Sequence, residues 1–396
     1  MSTTAQRMRA WTGPAILSYG FRPFFLGAAI WGALAALLWL AMLSGALALP
    51  TAFDPVGWHA HEFLYGYLVA VVAGFLLTAV PNWTGRLPIT GWWLGGLAAL
   101  WVAGRLAVAV SAGVPPLLVA AADLVMPLAL AAVIGREIVA GRNWRNLIVL
   151  AMLAVMIVGN ALFHWQAATG YAAQGAGLRL GLAAALMMIG VIGGRIVPSF
   201  TRNWLVKRGS ARLPVPPMQR FDRLALAALV AALALWVLWP FAVATGWALL
   251  LAGALHLARL ARWAGQRTLA EPLVWVLHAG YAFLPLGALG VAAEILAPGT
   301  LGMAAAQHLW MAGAIGLMTL AVMTRATLGH SGQALIAGPG TVAIYGALIV
   351  SVLARVGAGL WPGAAGVLHT VSGLGWLAAF AGFATLYGPL LLRRRA

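Results

Sequence analysis

Long apolar runs, separated by short polar or Gly/Pro-rich turns, make up nearly the whole chain. A helix needs about 20 mostly apolar residues to cross the hydrocarbon core of a bilayer, and such runs recur from Phe24 to the C-terminus. They predict helices over residues 24–43, 58–80, 92–112, 116–135, 145–166, 178–198, 222–241, 245–260, 273–293, 304–325, 341–361 and 364–391. The pattern therefore predicts an all-α, polytopic integral membrane protein with about twelve transmembrane helices. Residues 1–396 are expected to form a single membrane domain.

Composition narrows the function classes. The chain is 63% hydrophobic and 8% charged, whereas a soluble domain carries about 25% charged residues, so no soluble domain is expected. A net charge of +17 would suggest nucleic acid in a soluble protein, but here the basic residues lie between the apolar runs and a lipid bilayer is the expected partner. The absence of cysteine excludes thiolate ligands, iron–sulfur clusters and covalently attached haem, so any haem must be held non-covalently by His or Met.

The basic residues predict the topology. They lie at both ends of the chain (Arg7, Arg9 and Arg22; Arg393, Arg394 and Arg395) and in alternate loops, whereas loops 44–57, 113–115, 167–177, 242–244 and 294–303 have no Lys or Arg. Because Lys and Arg are retained on the cytoplasmic side of a membrane, both termini are predicted to be cytoplasmic.

A short motif repeats at the ends of predicted helices. Val80-Pro81-Asn82-Trp83-Thr84-Gly85-Arg86 closes the second helix and Val197-Pro198-Ser199-Phe200-Thr201-Arg202-Asn203 closes the sixth. The tenth ends less similarly, with Thr324-Arg325-Ala326-Thr327-Leu328-Gly329-His330. The spacing predicts three repeats of four helices, and the alternative is chance similarity in a chain of low complexity.

The predicted topology places the eight histidines at two depths. Near the outer face are His59, His61, His164, His308 and His369, and near the inner face are His256, His278 and His330. Ionisable side chains within a membrane are costly and mark functional sites by default. The alternative for any single one is a hydrogen bond to a neighbouring helix.

The second helix opens with the most polar stretch of any span, Trp58-His59-Ala60-His61-Glu62. Two residues apart on a helix, His59 and His61 point roughly 200° away from each other. They are therefore expected either to serve different centres or to divide into one ligand and one structural residue. Imidazole binds haem iron and copper, and Glu62 could accept a hydrogen bond from a ligand or carry protons.

Other charged residues near helix ends are further candidates. Arg195 and Arg325 lie in the last turns of the sixth and tenth predicted helices. They are either positive-inside anchors or partners of haem propionates or another anionic group. Asp123 and Glu294 are candidates for a proton relay away from the histidines.

The chain resembles the NnrS family of bacterial membrane proteins. The motifs that carry the resemblance span most of the chain: Gly20-Phe21-Arg22-Pro23-Phe24-Phe25, Trp58-His59-Ala60-His61-Glu62, residues 74–85 (GFLLTAVPNWTG), residues 193–201 (GGRIVPSFT), residues 273–281 (LVWVLHAGY) and residues 323–332 (MTRATLGHSG). The resemblance implies non-covalent haem b, copper and a role in nitric oxide metabolism at the bacterial inner membrane. By motif, the resemblance implies that His59 and His61 bind metal, with His278, His308 and His330 as further candidates. It also implies that His164 and His256 occupy positions similar to those of histidines in the family.

Three functions remain open on the sequence. The first is a haem- and copper-binding inner-membrane protein that binds or turns over nitric oxide and protects against nitrosative stress. As an enzyme it would be an oxidoreductase acting on nitric oxide. The second is a transporter of a metal complex or of a small molecule derived from nitric oxide. The third is a redox enzyme that takes electrons from quinol or another membrane donor.

Overall fold

The computed structural model describes residues 11–394, and within them twelve helices are long and apolar enough to cross a membrane. In chain order they are α1 (Phe21–Leu43), α2 (Pro55–Thr84), α3 (Trp92–Ala109), α4 (Pro116–Ala140), α5 (Trp144–Thr169), α6 (Ala176–Lys207), α7 (Arg220–Leu238), α8 (Val243–Arg267), α9 (Pro272–Leu296), α10 (Met303–His330), α11 (Pro339–Leu360) and α12 (Pro362–Leu392). No strand occurs between residues 11 and 394. The predicted polytopic all-α architecture is confirmed. Arg7, Arg9 and Arg395 lie outside the described residues.

The helix that carries the His59/His61 stretch is longer than its apolar run. Its N-terminus is capped by Asp54, whose carboxylate accepts a hydrogen bond from the Gly57 amide at 2.9 Å, and Pro55 occupies the first turn. An acceptor at this position satisfies an unpaired amide, and proline has no amide to leave unpaired. At the other end α2 continues past Pro81 to a left-handed Gly85, because one proline removes only one hydrogen bond of the ladder.

Three described spans contain a stretch of π-helix, and these spans are four apart in the chain. The stretches are Glu62–Tyr67 in α2, Ile189–Gly193 in α6 and Leu309–Leu317 in α10. A π-helical segment is rare and is often found at a functional site. Its recurrence in the second, sixth and tenth spans agrees with the predicted division into three sets of four helices.

The repeated motif of α2 and α6 also repeats one hydrogen bond. The Thr84 hydroxyl donates to the Val80 carbonyl at 2.9 Å, and the Thr201 hydroxyl donates to the Val197 carbonyl at 2.8 Å. In each case a proline follows the valine. The sequence similarity at these two helix ends therefore corresponds to the same local structure.

The chain divides into two compact units. The first contains the chain up to Ala184, Ala326–Ala334 and the chain from Phe380 onward, and the second contains Ala185–Arg325 and Leu335–Ala379. Within the first unit Arg22 is buried, and its Nη1 donates to the carbonyls of Leu390, Leu391 and Arg393 at 3.3, 2.9 and 2.6 Å. A cation there satisfies the last carbonyls of α12 and complements the helix dipole.

Candidate metal centre

Six polar side chains from four helices of the first unit meet in the apolar interior. They are His61 and Glu62 of α2, Arg105 of α3, Asp123 of α4, and Asn160 and His164 of α5. Each is at most 6% exposed. We call this group the α2–α5 cluster. Every member lies near the predicted outer end of its span, at the depth the charge pattern assigns to His61 and His164.

His61 is at the centre of the cluster. Its Nδ1 lies 2.9 Å from Glu62 Oε1, and its Nε2 lies 3.0 Å from Asn160 Oδ1 and 3.2 Å from Asp123 Oδ2. His164 approaches the same Asp123 oxygen, with Nε2 at 3.0 Å. Asp123 Oδ2 therefore faces both imidazoles.

Arg105 joins the two carboxylates. Its Nη1 donates to Glu62 Oε1 at 2.5 Å, and its Nη2 pairs with Asp123 Oδ1. Gly104 allows this contact, because a Cβ there would lie 2.9 Å from Asp123 Oδ1 and 3.0 Å from the Asp123 Cα. The cluster thus contains two carboxylates and one guanidinium.

The atoms around His61 Nε2 do not include a hydrogen-bond donor for it. An ionised carboxylate only accepts hydrogen bonds, so Glu62 fixes the proton of a neutral His61 on Nδ1 and leaves a lone pair on Nε2. The Asn160 amide donates from Nδ2 to Asp123 Oδ2 at 2.8 Å, which turns its Oδ1 toward the same Nε2. Three acceptor atoms, His61 Nε2, Asn160 Oδ1 and Asp123 Oδ2, then face one another with no hydrogen between them. A cation among them, either a proton or a metal ion, removes this repulsion.

The π-helical segment of α2 contacts α3 at the cluster. Glu62 begins the segment, and the carbonyl of Gly66 accepts a hydrogen bond from Trp101 Nε1 at 2.9 Å. A Cβ on Gly66 would lie 2.6 Å from Arg105 Nη1 and 2.7 Å from Glu62 Oε2. Only glycine leaves room for the guanidinium and the carboxylate to pack against the helix here.

Aromatic rings cover the imidazoles. Phe53, in the loop before α2, lies 5.4 Å from the His61 ring and 5.6 Å from the His164 ring, and Phe163 lies 5.4 Å from His61. The loop is fixed to the end of α3, where the Ala52 amide donates to Ser111 Oγ at 2.9 Å. Phe53 is 8% exposed, so it separates the cluster from the predicted outer surface.

The donor atoms of the cluster suit a small metal ion. One ligand atom from each of His61, Asp123 and His164 lies within 4.8 Å of the others. Two imidazoles and a carboxylate are donors that copper and other first-row ions accept, and the Nδ1 contact from His61 to Glu62 is the orienting hydrogen bond that metal-bound histidines make. These residues fit copper.

His61 and His164 cannot hold a haem between them, and two other buried histidines are also obstructed. The His61 and His164 ring centroids are 4.9 Å apart, with the Asp123 carboxylate between their Nε2 atoms, so a macrocycle cannot pass between them. His256 has both ring nitrogens in hydrogen bonds. His278 Nδ1 has no hydrogen-bond partner, but Gly265 packs against it, since a Cβ there would lie 2.6 Å from that nitrogen.

The other histidines of the sequence prediction lie apart from the cluster. His59 stacks on Trp39 with ring centroids 4.4 Å apart. Its ring also contacts the Phe63 ring at 4.5 Å, whereas the His61 ring contacts Phe53 and Phe163. In the second unit, His278 Nε2 lies 2.7 Å from the Thr201 hydroxyl. His308 Nδ1 lies 2.6 Å from the Ala304 carbonyl of its own helix.

His330 packs among aromatic residues at the predicted inner side of the first unit. Its ring contacts Tyr19 at 5.6 Å and Phe21 at 5.5 Å. Tyr19 precedes α1, and burial raises the pKa of its phenol to about 12 although a hydrogen bond with Asn82 lowers it. The phenol therefore stays neutral and donates to the Thr78 carbonyl at 3.2 Å.

The remaining predicted residues fall into two groups. Arg195 and Arg325 form no ion pair with a described carboxylate, and the Arg325 guanidinium lies 4.2 Å above the Phe200 ring. Glu294 accepts hydrogen bonds from the amides of an outer loop, including Gly299 at 2.8 Å. The prediction that Asp123 lies away from the histidines is wrong, since its carboxylate contacts two of them.

A second buried polar group lies in the other unit. It contains Asp222 of α7, His256 and Arg259 of α8 and Tyr281 of α9, and we call it the α7–α9 cluster. Arg259 donates to Asp222 Oδ1 at 2.7 Å, to the Tyr281 hydroxyl at 2.9 Å and to the carbonyl of Gly190, in the π segment of α6, at 2.8 Å. In both units a buried arginine therefore contacts a residue of a π-helical segment.

Both ring nitrogens of His256 in the α7–α9 cluster have hydrogen-bond partners of the matching kind. His256 Nε2 lies 3.1 Å from the Ala225 carbonyl, so it carries the proton, and Nδ1 accepts from the Tyr281 hydroxyl at 2.8 Å. One carboxylate faces one guanidinium. This cluster needs no additional cation, in contrast to the α2–α5 cluster.

Sequence reasoning did not single out Arg105 or the role of Asn160 beside His61. Arg105 is the only charged residue in α3, and an isolated charge in a membrane span is by itself a signal of function. Asn160 gives no comparable signal, because its importance depends on which residues neighbouring helices bring to it.

Comparison with known proteins identifies the family. The model of the family described as NnrS protein matches residues 15–395, nearly the whole of the 396-residue chain. A comparison with curated proteins gives no match.

Proposed function

Since the chain belongs to the NnrS family, we propose that it is a copper-binding protein of nitric oxide metabolism in the bacterial inner membrane. In this proposal His61, Asp123 and His164 hold the copper ion, and the protein binds or turns over nitric oxide and so protects the cell against nitrosative stress. The link to nitric oxide comes from the family resemblance. The location of the metal comes from the α2–α5 cluster.

One observation carries the metal assignment: the α2–α5 cluster has more acceptors and more negative charge than its own donors balance. Glu62 and Asp123 face a single guanidinium, that of Arg105, and His61 Nε2 faces two oxygens. Unbalanced charge inside a membrane protein is costly. A metal cation at Asp123 Oδ2 would compensate both deficits.

The residues around this position have distinct roles. Glu62 holds the proton of His61 on Nδ1 and directs the Nε2 lone pair toward Asp123. Arg105 holds Asp123 through Oδ1 and leaves Oδ2 facing the two imidazoles. Phe53 and Phe163 exclude water from the rings. Copper, when bound, supplies a one-electron centre with affinity for nitric oxide.

Haem is the other cofactor that the resemblance implies. His61 and His164 lie too close together to hold a macrocycle between them, both nitrogens of His256 are in hydrogen bonds, and Gly265 packs against Nδ1 of His278. The proposal therefore assigns none of these four histidines to haem. An absorption spectrum of the purified protein decides the point, because protein-bound haem gives an intense Soret band and the copper site does not.

The proposal is tested by metal analysis and nitric oxide binding. We expect about one copper per chain in the wild type, lost in His61→Gln and in His164→Gln. His369→Gln is the matched control, since His369 lies outside the cluster, and it should retain copper. The infrared stretch of nitric oxide bound to the reduced protein should follow the copper content.

Two results would count against this function. Copper retained in both cluster variants would place the metal elsewhere. A metal-free wild type that moves a metal complex across proteoliposomes would favour the transporter instead.

A further inference from the structure

We propose that Arg105 makes the α2–α5 cluster selective for a monovalent over a divalent cation. The inference rests on the proposed metal site and concerns which ion that site prefers. It assigns a specificity role to a residue that does not itself ligate the ion.

The charge count of the cluster gives the first argument. Glu62 and Asp123 contribute two negative charges, and Arg105 contributes one positive charge, since a guanidinium keeps its proton inside a protein. No other charged side chain is within 4 Å of these three among the described residues, apart from the two histidines. With both imidazoles neutral, one negative charge remains, so a monovalent ion makes the cluster neutral and a divalent ion leaves an uncompensated positive charge.

Neutrality matters here because the cluster is buried. Glu62 and His61 are fully buried, and Arg105 and Asp123 are 3% and 4% exposed. Solvent screens an uncompensated charge at a protein surface, but in the interior the desolvation penalty amounts to several kcal/mol per ion. The penalty for the second charge of a divalent ion is therefore large enough to determine which ion binds.

The position of Arg105 gives the second argument, because the guanidinium cannot withdraw when an ion arrives. It is held by Glu62 Oε1 and Asp123 Oδ1, and it packs against the Cα of Gly66, where a Cβ would lie 2.6 Å from Nη1. Asp123, which pairs with Arg105, is also the carboxylate that faces both imidazoles. The Asp123 carboxylate thus lies between the fixed positive charge of Arg105 and the proposed ion.

The α7–α9 cluster provides an internal comparison. There Asp222 and Arg259 balance one to one, and both nitrogens of His256 have matching partners. In the α2–α5 cluster a second carboxylate, Glu62, is present and an imidazole nitrogen faces oxygens. The excess negative charge and the unmatched nitrogen occur in the same cluster. We take this to mean that the excess charge serves to bind an ion and is not needed to stabilise the fold.

Two redox-silent ions measure the selectivity: Ag⁺ as the monovalent probe and Zn²⁺ as the divalent probe. Calorimetric titration of the purified full-length protein gives the ratio of their dissociation constants. Arg105→Gln should shift the ratio toward Zn²⁺ by roughly 100-fold, the effect of one unit charge at about 6 Å in a medium of effective dielectric about 20. Arg105→Lys keeps the charge and should keep the ratio.

Glu62→Gln makes the test independent of whether Arg105→Gln folds. It is nearly isosteric, removes one negative charge, and should shift the ratio in the opposite direction, toward Ag⁺. Arg136→Gln is the matched control, because Arg136 is on the same helix as Asp123 but about 20 Å along it at 1.5 Å per residue. It should leave the ratio unchanged.

The outcomes separate the inference from the site on which it rests. Opposite shifts in Arg105→Gln and Glu62→Gln support it. Binding of both ions with a ratio that none of the variants changes overturns the role of Arg105 and leaves the metal site in place. Failure of wild type and variants to bind either ion overturns the metal site and the inference together.

Discussion

Asp123 Oδ2 lies 3.2 Å from His61 Nε2, although the two residues belong to helices separated in the chain by the whole of α3. Asp123 also pairs with Arg105 and lies 3.0 Å from His164. One carboxylate thus connects both imidazoles to the only guanidinium of the cluster, and it is the residue whose loss should affect both metal binding and the stability of the fold.

Asp123→Asn should abolish metal binding and reduce the free energy of unfolding. It removes one partner of a buried ion pair, which typically costs about 3–5 kcal/mol. Metal analysis and thermal unfolding in detergent measure the two effects. Asp54→Asn is the control, since that carboxylate caps α2 at an exposed position and an asparagine cap costs little. Metal retained in Asp123→Asn would remove this carboxylate from the site.

Gly66→Ala should lower stability and weaken metal binding, because the added Cβ would meet Arg105 Nη1 and Glu62 Oε2 at 2.6 and 2.7 Å. Overpacking of this kind costs roughly 1–3 kcal/mol. Gly96→Ala in α3 is the matched control, since nothing lies within 4 Å of the added atom, and it should be neutral or slightly stabilising. Equal behaviour of the two variants would contradict the close packing at the π segment.

The fold follows from the sequence more completely than the cluster does. Apolar length predicts all twelve spans, and the spacing of His59 and His61 predicts their different surroundings. The bonding of Asp123 to both histidines cannot be derived in this way. Most spans are apolar on every side, so no pattern shows which face of α4 meets α2 and α5. The neighbours of Asp123 depend on helix packing, with Gly104 allowing the close approach of α3 and α4.

Phe53→Ala should increase the rate at which an added chelator removes the metal. Phe53 covers the His61 and His164 rings on the predicted outer side, but it supplies no ligand, so the equilibrium affinity should change less than the rate. Stopped-flow measurement of metal transfer to a chromophoric chelator gives both values. Phe241→Ala serves as control because that ring is 73% exposed and lies in the other unit. An unchanged transfer rate in Phe53→Ala would show that the metal leaves by another route.

Arg22→Gln should loosen the end of α12. The guanidinium donates to the Leu390, Leu391 and Arg393 carbonyls, and these acceptors would be left without it. Amide hydrogen exchange of the last turn of α12 should become faster. Arg393→Gln leaves its backbone carbonyl in place and should not change the exchange. Protection that persists in Arg22→Gln would mean that other contacts hold this helix end.

X-ray absorption at the copper edge of the purified protein tests the central claim most directly, because it reports the ligands of the bound ion. The account predicts a first shell of imidazole nitrogens and carboxylate oxygen without sulfur, and little copper-edge signal from His164→Gln, which loses the ion. A methionine sulfur in the first shell, or a spectrum that His164→Gln does not change, would contradict a metal ion held by His61, Asp123 and His164.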